Sequence, residues 1–249
     1  MTEYRLIAFD LDDTLAPSKS AMDASMVPVF AGLLERFEVC VISGGQIGQF
    51  RSQFLSSLGE VPDALLARLH LMPTCGTQYF RFVGGDWSRI YAEDLTTDER
   101  ERALAALKSG ALSLGLWETT TWGPALEDRG SQITYSALGQ EAPLDAKKAW
   151  DPTGAKKNAL REKVQAELPD LEVRSGGSTS IDITRKGIDK AYGMRKLVEL
   201  AGVPLDEMLF IGDRLDPDGN DYPVKALGVA TRPVEGWQDT RSAIIELLS

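Results

Sequence analysis

Short apolar runs alternate with amphipathic helical patterns over much of the chain. Patterns typical of buried strands occupy residues 4–9, 38–42 and 208–211. Apolar residues at helical spacing predict helices over residues 27–37, 47–58, 192–201 and 240–248. Because an order of strand, helix and strand favours a parallel sheet covered by helices, we predict a doubly wound α/β core.

The middle of the chain has a different pattern. Charged helical segments are predicted over residues 98–108 and 156–168, and strand-like segments over residues 114–121, 132–136 and 180–184. This mixture is typical of an α+β unit. Because the presumed last strand of the sheet comes only at residues 208–211, we assign residues 1–81 and 188–249 to the core and residues 82–187 to an inserted α+β domain.

The composition limits the classes of partner. The chain has 249 residues, is 43% hydrophobic and carries a formal net charge of −10 at pH 7. Its lysine and arginine residues are scattered rather than gathered in a basic block, so a nucleic-acid partner is not expected. The sequence contains no run of about 18 apolar residues, as a membrane helix requires, and no signal-type segment. We therefore expect a cytoplasmic protein without a membrane partner.

The cysteines and the histidine do not form a recognisable site. Cys40 lies in an apolar run and Cys75 follows a Pro-Thr pair, so their spacing is not that of metal ligands. They are typical of thiols in a reducing cytoplasm, although a disulfide between them remains an alternative. His70 is the only histidine, and no serine- or cysteine-based catalytic arrangement is predicted around it.

Polar and acidic residues follow three of the predicted strands. They form the turns Asp10-Leu11-Asp12-Asp13-Thr14, Ser43-Gly44-Gly45 and Gly212-Asp213, the last followed by Asp216, Asp218, Gly219, Asn220 and Asp221. One acidic turn of this kind is most often a solvated turn or a helix cap. Three of them at three strand ends are expected to converge, because open parallel sheets bind ligands beyond the carboxyl ends of their strands. Clustered carboxylates need a hard cation to neutralise them, which predicts a magnesium site.

These residues resemble the motifs of the haloacid dehalogenase superfamily of phosphotransferases, in the same order along the chain. The turn at residues 10–14 matches the first motif DxDxT, and Ser43 matches the serine or threonine of the second motif. Lys190 matches the lysine of the family, and Asp213 with Asn220-Asp221 matches the acidic third motif.

The resemblance implies catalysis through an aspartyl-phosphate and a bound Mg²⁺. Asp10 would be the nucleophile, and Asp12 would be the general acid and base. The phosphate would be bound by Ser43, Gly44, Lys190 and Asn220. The metal would be held by the Asp10 carboxylate, the backbone carbonyl of Asp12 and the Asp213 carboxylate, with Asp221 as a further ligand, direct or through water.

Within the superfamily the chain is similar to the branch with a type-IIB cap inserted between the second and third motifs, and in particular to the eukaryotic-type phosphomannomutases. The similar stretches are residues 43–45, 127–129, 187–190, 210–213 and 217–221. The resemblance implies that Arg129, Ser180 and Asp182 of the cap contact the substrate, although Ser180 and Asp182 equally fit the polar face of an alternating strand. Gln140 departs from the pattern, since a second substrate arginine is expected there. Lys147 or Lys148 could supply the missing charge, but neither has the planar fork of an arginine.

The departure at position 140 affects the predicted reaction. A mutase must hold a second phosphate in the cap, whereas a phosphatase only needs to admit water, so loss of one arginine favours the phosphatase. We therefore expect a Mg²⁺-dependent phosphatase acting on a phosphorylated sugar or a similar small metabolite. The alternatives are a phosphomannomutase and a non-catalytic binding protein on the same fold. A homodimer formed through the cap remains open.

Overall fold

The computed structural model describes residues 4–176 and 179–249 and divides the chain into two units. One unit combines residues 1–92 with residues 188–249, and the other contains residues 93–187. The strands are β1 (Leu6–Phe9), β2 (Glu38–Ile42), β3 (Leu69–Met72), β4 (Gln78–Val83), β5 (Asp86–Ala92), β6 (Leu126–Asp128), β7 (Ile133–Ser136), β8 (Leu171–Ser175), β9 (Ser180–Arg185), β10 (Met208–Gly212) and β11 (Ala230–Pro233). The α-helices are α1 (Met26–Arg36), α2 (Ile47–Gln53), α3 (Asp63–Leu66), α4 (Thr97–Ser113), α5 (Leu144–Trp150), α6 (Ala155–Glu167), α7 (Lys190–Ala201), α8 (Tyr222–Ala226) and α9 (Trp237–Leu248).

The described part of the first unit is built on a seven-stranded sheet in the order β11-β10-β1-β2-β3-β4-β5. Neighbouring strands from β11 to β3 are parallel, and β4 and β5 add an antiparallel hairpin at one edge. In β1, Ile7 and Phe9 belong to the apolar core that contains α1 and α9, whereas Leu6 and Ala8 belong to the core that contains α7. A strand buried on both faces explains the continuous apolar run in the sequence, and it confirms the predicted doubly wound α/β core.

The second unit is α+β. Its sheet has the order β6-β7-β9-β8 with antiparallel neighbours. One face of this sheet packs on α4 and α6, with Ile133 and Ile183 among the buried contacts. The alternate positions Thr134 and Asp182 are polar and lie on the other face of the strands.

The first boundary between the units differs from the predicted one. The insertion was expected to begin at residue 82, but β4 and β5 pair with each other and with β3, so the hairpin belongs to the core sheet. The second unit accordingly begins at Glu93 and ends at Gly187.

Another difference concerns residues 114–121, where a strand was expected. The structure has no strand there, because α4 ends in a tight turn at Gly115, whose φ of +66° suits glycine. Trp117 then stacks on Tyr135 with ring centroids 5.8 Å apart, so the apolar side chains pack without a hydrogen-bonded ladder. The predicted helix over residues 47–58 is likewise shorter, since α2 stops at Gln53 and a 3₁₀ turn follows over Leu55–Leu58.

The two cysteines and the histidine belong to the first unit. Cys40 and Cys75 are not joined in a disulfide, and Cys40 is buried. The ring of His70 is buried, with Nδ1 2.8 Å from the Tyr79 hydroxyl and Nε2 3.2 Å from the Glu38 carboxylate. Within residues 4–176 and 179–249, no helix combines the length and hydrophobicity that crossing a bilayer requires.

Candidate active site

Three adjacent strands of the first unit end in the polar turns that the sequence analysis selected. Phe9 of β1 lies beside Val41 of β2 and Ile211 of β10 in the parallel registers. Asp10, Ser43 and Asp213 follow these strand ends, and parallel strands present their carboxyl ends at the same edge of the sheet. The predicted convergence of the three turns at this edge is therefore present.

A buried lysine joins two carboxylates at this edge. The ammonium group of Lys190 donates hydrogen bonds to Asp10 Oδ1 and, at 2.5 Å, to Asp221 Oδ1. The three residues are at most 3% exposed. Lys190 is the first residue of α7, and the Asp189 side chain caps this helix by accepting a hydrogen bond from Tyr192 N at 2.8 Å. The helix start thus fixes where the lysine enters the site.

Burial and mutual repulsion disfavour the charged forms of the acidic residues around Lys190. Burial raises the pKa of Asp10 to about 8, although the positive charge of Lys190 opposes this shift. Burial also raises the pKa of Asp213, and the neighbouring charge of Asp221 adds to it. Burial by itself lowers the pKa of Lys190, but the charges of Asp10 and Asp221 outweigh it and hold the lysine above its ordinary value. Such a cluster favours the binding of further positive charge.

The donor set fits a divalent cation. Asp10, Asp213 and Asp221 each place one carboxylate oxygen within 4.8 Å of the others. Hard oxygen ligands of this kind suit Mg²⁺, which binds a few carboxylates and keeps several waters. The expected contribution of the Asp12 backbone carbonyl to the metal site stays a prediction.

Neighbouring groups hold these carboxylates in place. Arg214 N donates to Asp221 Oδ2 at 3.1 Å, and the Thr14 hydroxyl donates to Asp213 Oδ1 at 3.4 Å. Gly212 is required next to them, since a Cβ at this position would lie 2.3 Å from Asp221 Oδ2. Thr14 was expected only as the last residue of the first motif. Its buried hydroxyl also helps to hold the Asp213 carboxylate.

The loop after β2 is the expected phosphate-binding segment. Ser43 is buried, and its hydroxyl accepts a hydrogen bond from Gly45 N at 3.1 Å. Thr74 N donates to the carbonyl oxygen of Gly45 at 3.0 Å, and Cys75 N donates to that of Ser43 at 2.9 Å. These hydrogen bonds hold the loop against residues 74–75. Asn220 is exposed after β10, and its role in phosphate binding stays a prediction.

The Asp12 carboxylate is held by two glutamines that the sequence analysis missed. Gln49 Nε2 donates to Asp12 Oδ2 at 2.6 Å, and Gln53 Nε2 donates to Asp12 Oδ1 at 3.0 Å. Both side chains come from α2, four residues apart. This spacing was the available signal, but nothing in the sequence indicated which residue the pair would contact.

The predicted substrate residues of the second unit lie on or beside the polar face of its sheet. Arg129 donates from Nε and Nη2 to Glu127 Oε2 at 2.8 and 2.7 Å. Asp182 Oδ1 accepts a hydrogen bond from Thr134 Oγ1 at 2.6 Å. The Ser180 and Ser136 hydroxyls lie 2.8 Å apart. Since hydrogen bonds within a polar strand face also explain these contacts, the three substrate assignments remain predictions.

A lysine side chain lies next to position 140, where an arginine was expected. Lys147 Nζ donates to the backbone carbonyl of Gln140 at 3.0 Å. Lys147 is in the last turn of α5, close to the segment that carries Gln140. The positive charge expected at position 140 is thus present nearby, on a different side chain.

Comparisons with known proteins agree with the motifs. Residues 145–223 match the haloacid dehalogenase-like hydrolase family. A probable phosphomannomutase of Caenorhabditis elegans is 28% identical over an alignment of 251 positions, which covers 98% of this chain and 95% of the relative. The phosphomannomutase of Saccharomyces cerevisiae is 26% identical over an alignment of 255 positions, covering 98% of this chain and 94% of the relative.

Solved structures show the same fold at lower identity. The structure of an N-terminally truncated, IMP-bound IMP-nucleotidase of Plasmodium falciparum has a TM-score of 0.70 and 13% identity, and the match covers 99% of this chain and 68% of that chain. The predicted resemblance to the haloacid dehalogenase superfamily, with phosphomannomutase-like motifs, is therefore confirmed.

Proposed function

We propose that this haloacid dehalogenase-like chain is a Mg²⁺-dependent phosphotransferase that moves a phosphoryl group between positions of a phosphorylated sugar, as a phosphomannomutase does. The observation that carries the proposal is the buried contact of Asp10 with Lys190 inside a group of carboxylates at the carboxyl ends of adjacent strands. Similarity to phosphomannomutases over 98% of the chain favours the mutase over the phosphatase that Gln140 had suggested.

In the first half-reaction, Asp10 attacks phosphorus. A bond forms between its carboxylate oxygen and phosphorus, the bond from phosphorus to the sugar oxygen breaks, and Asp12 gives its proton to that oxygen. Lys190 and the Ser43–Gly44 segment stabilise the negative charge on the phosphoryl oxygens. Mg²⁺, held by Asp10, Asp213, Asp221 and the backbone carbonyl of Asp12, would supply charge neutralisation there.

In the second half-reaction, Asp12 acts as a base. It takes the proton of an attacking hydroxyl, a bond forms between that hydroxyl oxygen and phosphorus, the bond between phosphorus and Asp10 breaks, and the nucleophile carboxylate is regenerated. A sugar-phosphate hydroxyl as the acceptor gives the mutase, and water gives the phosphatase. Arg129, Ser180 and Asp182 would bind the sugar and its second phosphate, and Lys147 would contribute the charge that Gln140 lacks.

The phosphatase is the second candidate, and one observation favours it. Gln140 is neutral and Lys147 bonds to its carbonyl as a single ammonium donor, which cannot grip a phosphate with the planar fork of an arginine. We place either activity in the cytoplasm, where both free thiols would stay reduced.

A product analysis separates the candidates. The purified protein is incubated with Mg²⁺ and mannose 1-phosphate, with and without a hexose bisphosphate activator, and both free phosphate and mannose 6-phosphate are followed. Mannose 6-phosphate that depends on the activator is the expected result. Free phosphate alone would replace the mutase by the phosphatase, and no turnover of any sugar phosphate by the folded protein would leave a binding protein.

A further inference from the structure

The carboxylate of Asp12 is surrounded by hydrogen-bond donors. Gln49 Nε2 lies 2.6 Å from Oδ2, while Gln53 Nε2 and the backbone amide of Lys19 each lie 3.0 Å from Oδ1. Gln49 Nε2 also lies 3.0 Å from Gln53 Oε1, so the two amides are bonded to each other. Both carboxylate oxygens are thus fixed, and the side chain has one well-defined orientation.

Gln53 is a buried anchor for this arrangement. Its side chain is 2% exposed, and its amide also donates to Pro17 O at 3.1 Å. A buried amide needs partners for its polar atoms, and here the partners are Asp12 and the loop that follows it. Gln53 therefore ties the candidate acid and base of the reaction to helix α2, which begins just after the phosphate-binding loop.

The phosphate-binding loop leaves room for Gln49. A Cβ at Gly45 would lie 2.2 Å from Gln49 Oε1 and 2.8 Å from Cδ of the same side-chain amide. Any side chain at position 45 would push Gln49 out of the position from which it reaches Asp12. The glycine is needed here for side-chain space, since its φ is not in the left-handed region.

We propose that Gln49 and Gln53 are positioning residues that hold the Asp12 carboxyl group in the orientation from which it exchanges a proton with the sugar oxygen. This role rests on the proposed function. It acts on one event only, the transfer of a proton to the oxygen that leaves phosphorus or from the oxygen that attacks it. It does not act on the attack by Asp10 itself.

The leaving group can therefore reveal the role. A sugar oxygen needs a proton as its bond to phosphorus breaks, whereas 4-nitrophenolate is stable enough to depart without one. A general acid contributes about 10²–10⁴-fold to such a step, so misplacing it slows the sugar phosphate selectively. A purely structural glutamine pair would, when removed, slow both substrates alike.

The experiment measures the first turnover, before the phosphoenzyme is discharged. Rapid-quench release of mannose monophosphate from mannose 1,6-bisphosphate and stopped-flow release of 4-nitrophenolate from 4-nitrophenyl phosphate are compared for wild type, Gln49→Leu and Gly45→Ala. Ser52→Ala is the matched control, because this residue of the same helix is exposed and its hydroxyl donates to the backbone carbonyl oxygen of Gln49. Thermal unfolding confirms that each variant is folded.

We expect Gln49→Leu to reduce release of mannose monophosphate at least about tenfold more than nitrophenolate release, as part of the effect of a general acid. Gly45→Ala should show the same selectivity, since any weaker phosphate binding at that loop affects both substrates equally. Equal losses on the two substrates, or faster release of mannose monophosphate, would overturn the positioning role while leaving the proposed function intact. Absence of release in wild type that depends on Asp10 would instead overturn the proposed function, and this role with it.

Discussion

The contacts of Lys190 with Asp10 and Asp221 affect both the stability of the protein and the chemistry of the site. Three buried charged groups are costly to remove from water, and their mutual contacts repay only part of that cost. Leaving Lys190 without Asp10 or Asp221 would bury an uncompensated charge. A further positive charge near these carboxylates would offset part of this cost, which is consistent with the proposed metal site.

The cap arginine is tested by comparing two substrates. Arg129→Ala should lower kcat/KM for a sugar phosphate by about 10- to 100-fold, because a hydrogen bond to a charged group contributes about 1.5–3 kcal/mol. The loss for 4-nitrophenyl phosphate, which has no second phosphate and no sugar, should be much smaller. The matched control is Arg161→Ala on α6, a surface arginine that contacts Glu162. Equal losses on both substrates would remove Arg129 from the substrate site.

The buried histidine predicts a pH dependence of stability. Burial lowers the pKa of His70 from its ordinary 6.5, against the opposing effect of the Glu38 carboxylate, and the charge of Arg81 lowers it further. As the pH falls through 6.5, the unfolded chain binds this proton before the folded protein does, so the free energy of unfolding falls. The free energy of unfolding measured from pH 8 to pH 5 should fall less steeply for His70→Asn than for wild type. Identical slopes would contradict the assignment.

The residues of the site divide according to how local their sequence signal is. Asp10, Ser43 and Asp213 each follow a strand whose apolar run ends at a polar turn, so the sequence alone placed them at one edge of a sheet. Gln49 and Gln53 gave no such signal, because their partner Asp12 is 37 and 41 residues away along the chain. Their role depends on how α2 packs, which is a property of the tertiary structure.

At the scale of elements, the central strands were predictable and the sheet edge was not. β1, β2 and β10 are buried on both faces and read as apolar runs, whereas β5 lies at the edge and has only exposed and half-buried residues. β4 and β5 also contain charged residues and a Gly-Gly turn, which resembled the texture of the inserted domain. This explains why the predicted boundary fell at residue 82 instead of residue 93.

Gly193 in α7 and Gly48 in α2 have different surroundings, so alanine is expected to have opposite effects on stability at the two positions. A Cβ at Gly193 would lie 2.4 Å from Ile42 Cδ1 and 2.7 Å from the Cys75 carbonyl oxygen, so Gly193→Ala should destabilise the protein by about 1–3 kcal/mol. It should also reduce turnover, because α7 carries Lys190. The matched variant Gly48→Ala in α2 meets no atom within 3.8 Å and should stabilise by about 0.5–1 kcal/mol.

Chemical denaturation of both variants checks this pair of signs. The contrast matters because alanine has the better helix propensity at both positions, so only the surroundings differ. Equal stabilisation by the two substitutions would contradict the close packing of α7 on the loop at residues 72–76.

At the scale of the whole molecule, an acidic protein is proposed to bind an anionic substrate. The formal net charge is −10, and the described carboxylate cluster adds local negative charge to the site. General attraction by the protein's field therefore does not favour a phosphate. Under the proposed function, attraction for the phosphate would come from Lys190 and from a cation held by the carboxylates.

Metal binding should be visible in global stability. A ligand present at about 100 times its Kd stabilises the folded state by about 2.7 kcal/mol, so Mg²⁺ should raise the thermal unfolding midpoint of wild type. Asp213→Asn should lose most of this shift, because it removes one of three convergent carboxylates. Asp216→Asn is the control, since this exposed residue bonds to Arg214 and should keep the shift. Equal shifts in the two variants would place the cation elsewhere.

The most direct test of the central claim is to find the phosphoryl group on Asp10. The protein is mixed with Mg²⁺ and mannose 1,6-bisphosphate, quenched in acid, reduced with borohydride to convert an acyl phosphate to homoserine, and mapped by peptide mass spectrometry. We expect homoserine at position 10 in wild type and in Asp13→Asn, whose exposed turn position accommodates asparagine at its φ of +55°. Asp10→Asn should show neither the mark nor turnover. Turnover without modification of Asp10, or turnover retained by Asp10→Asn, would contradict the aspartyl-phosphate mechanism.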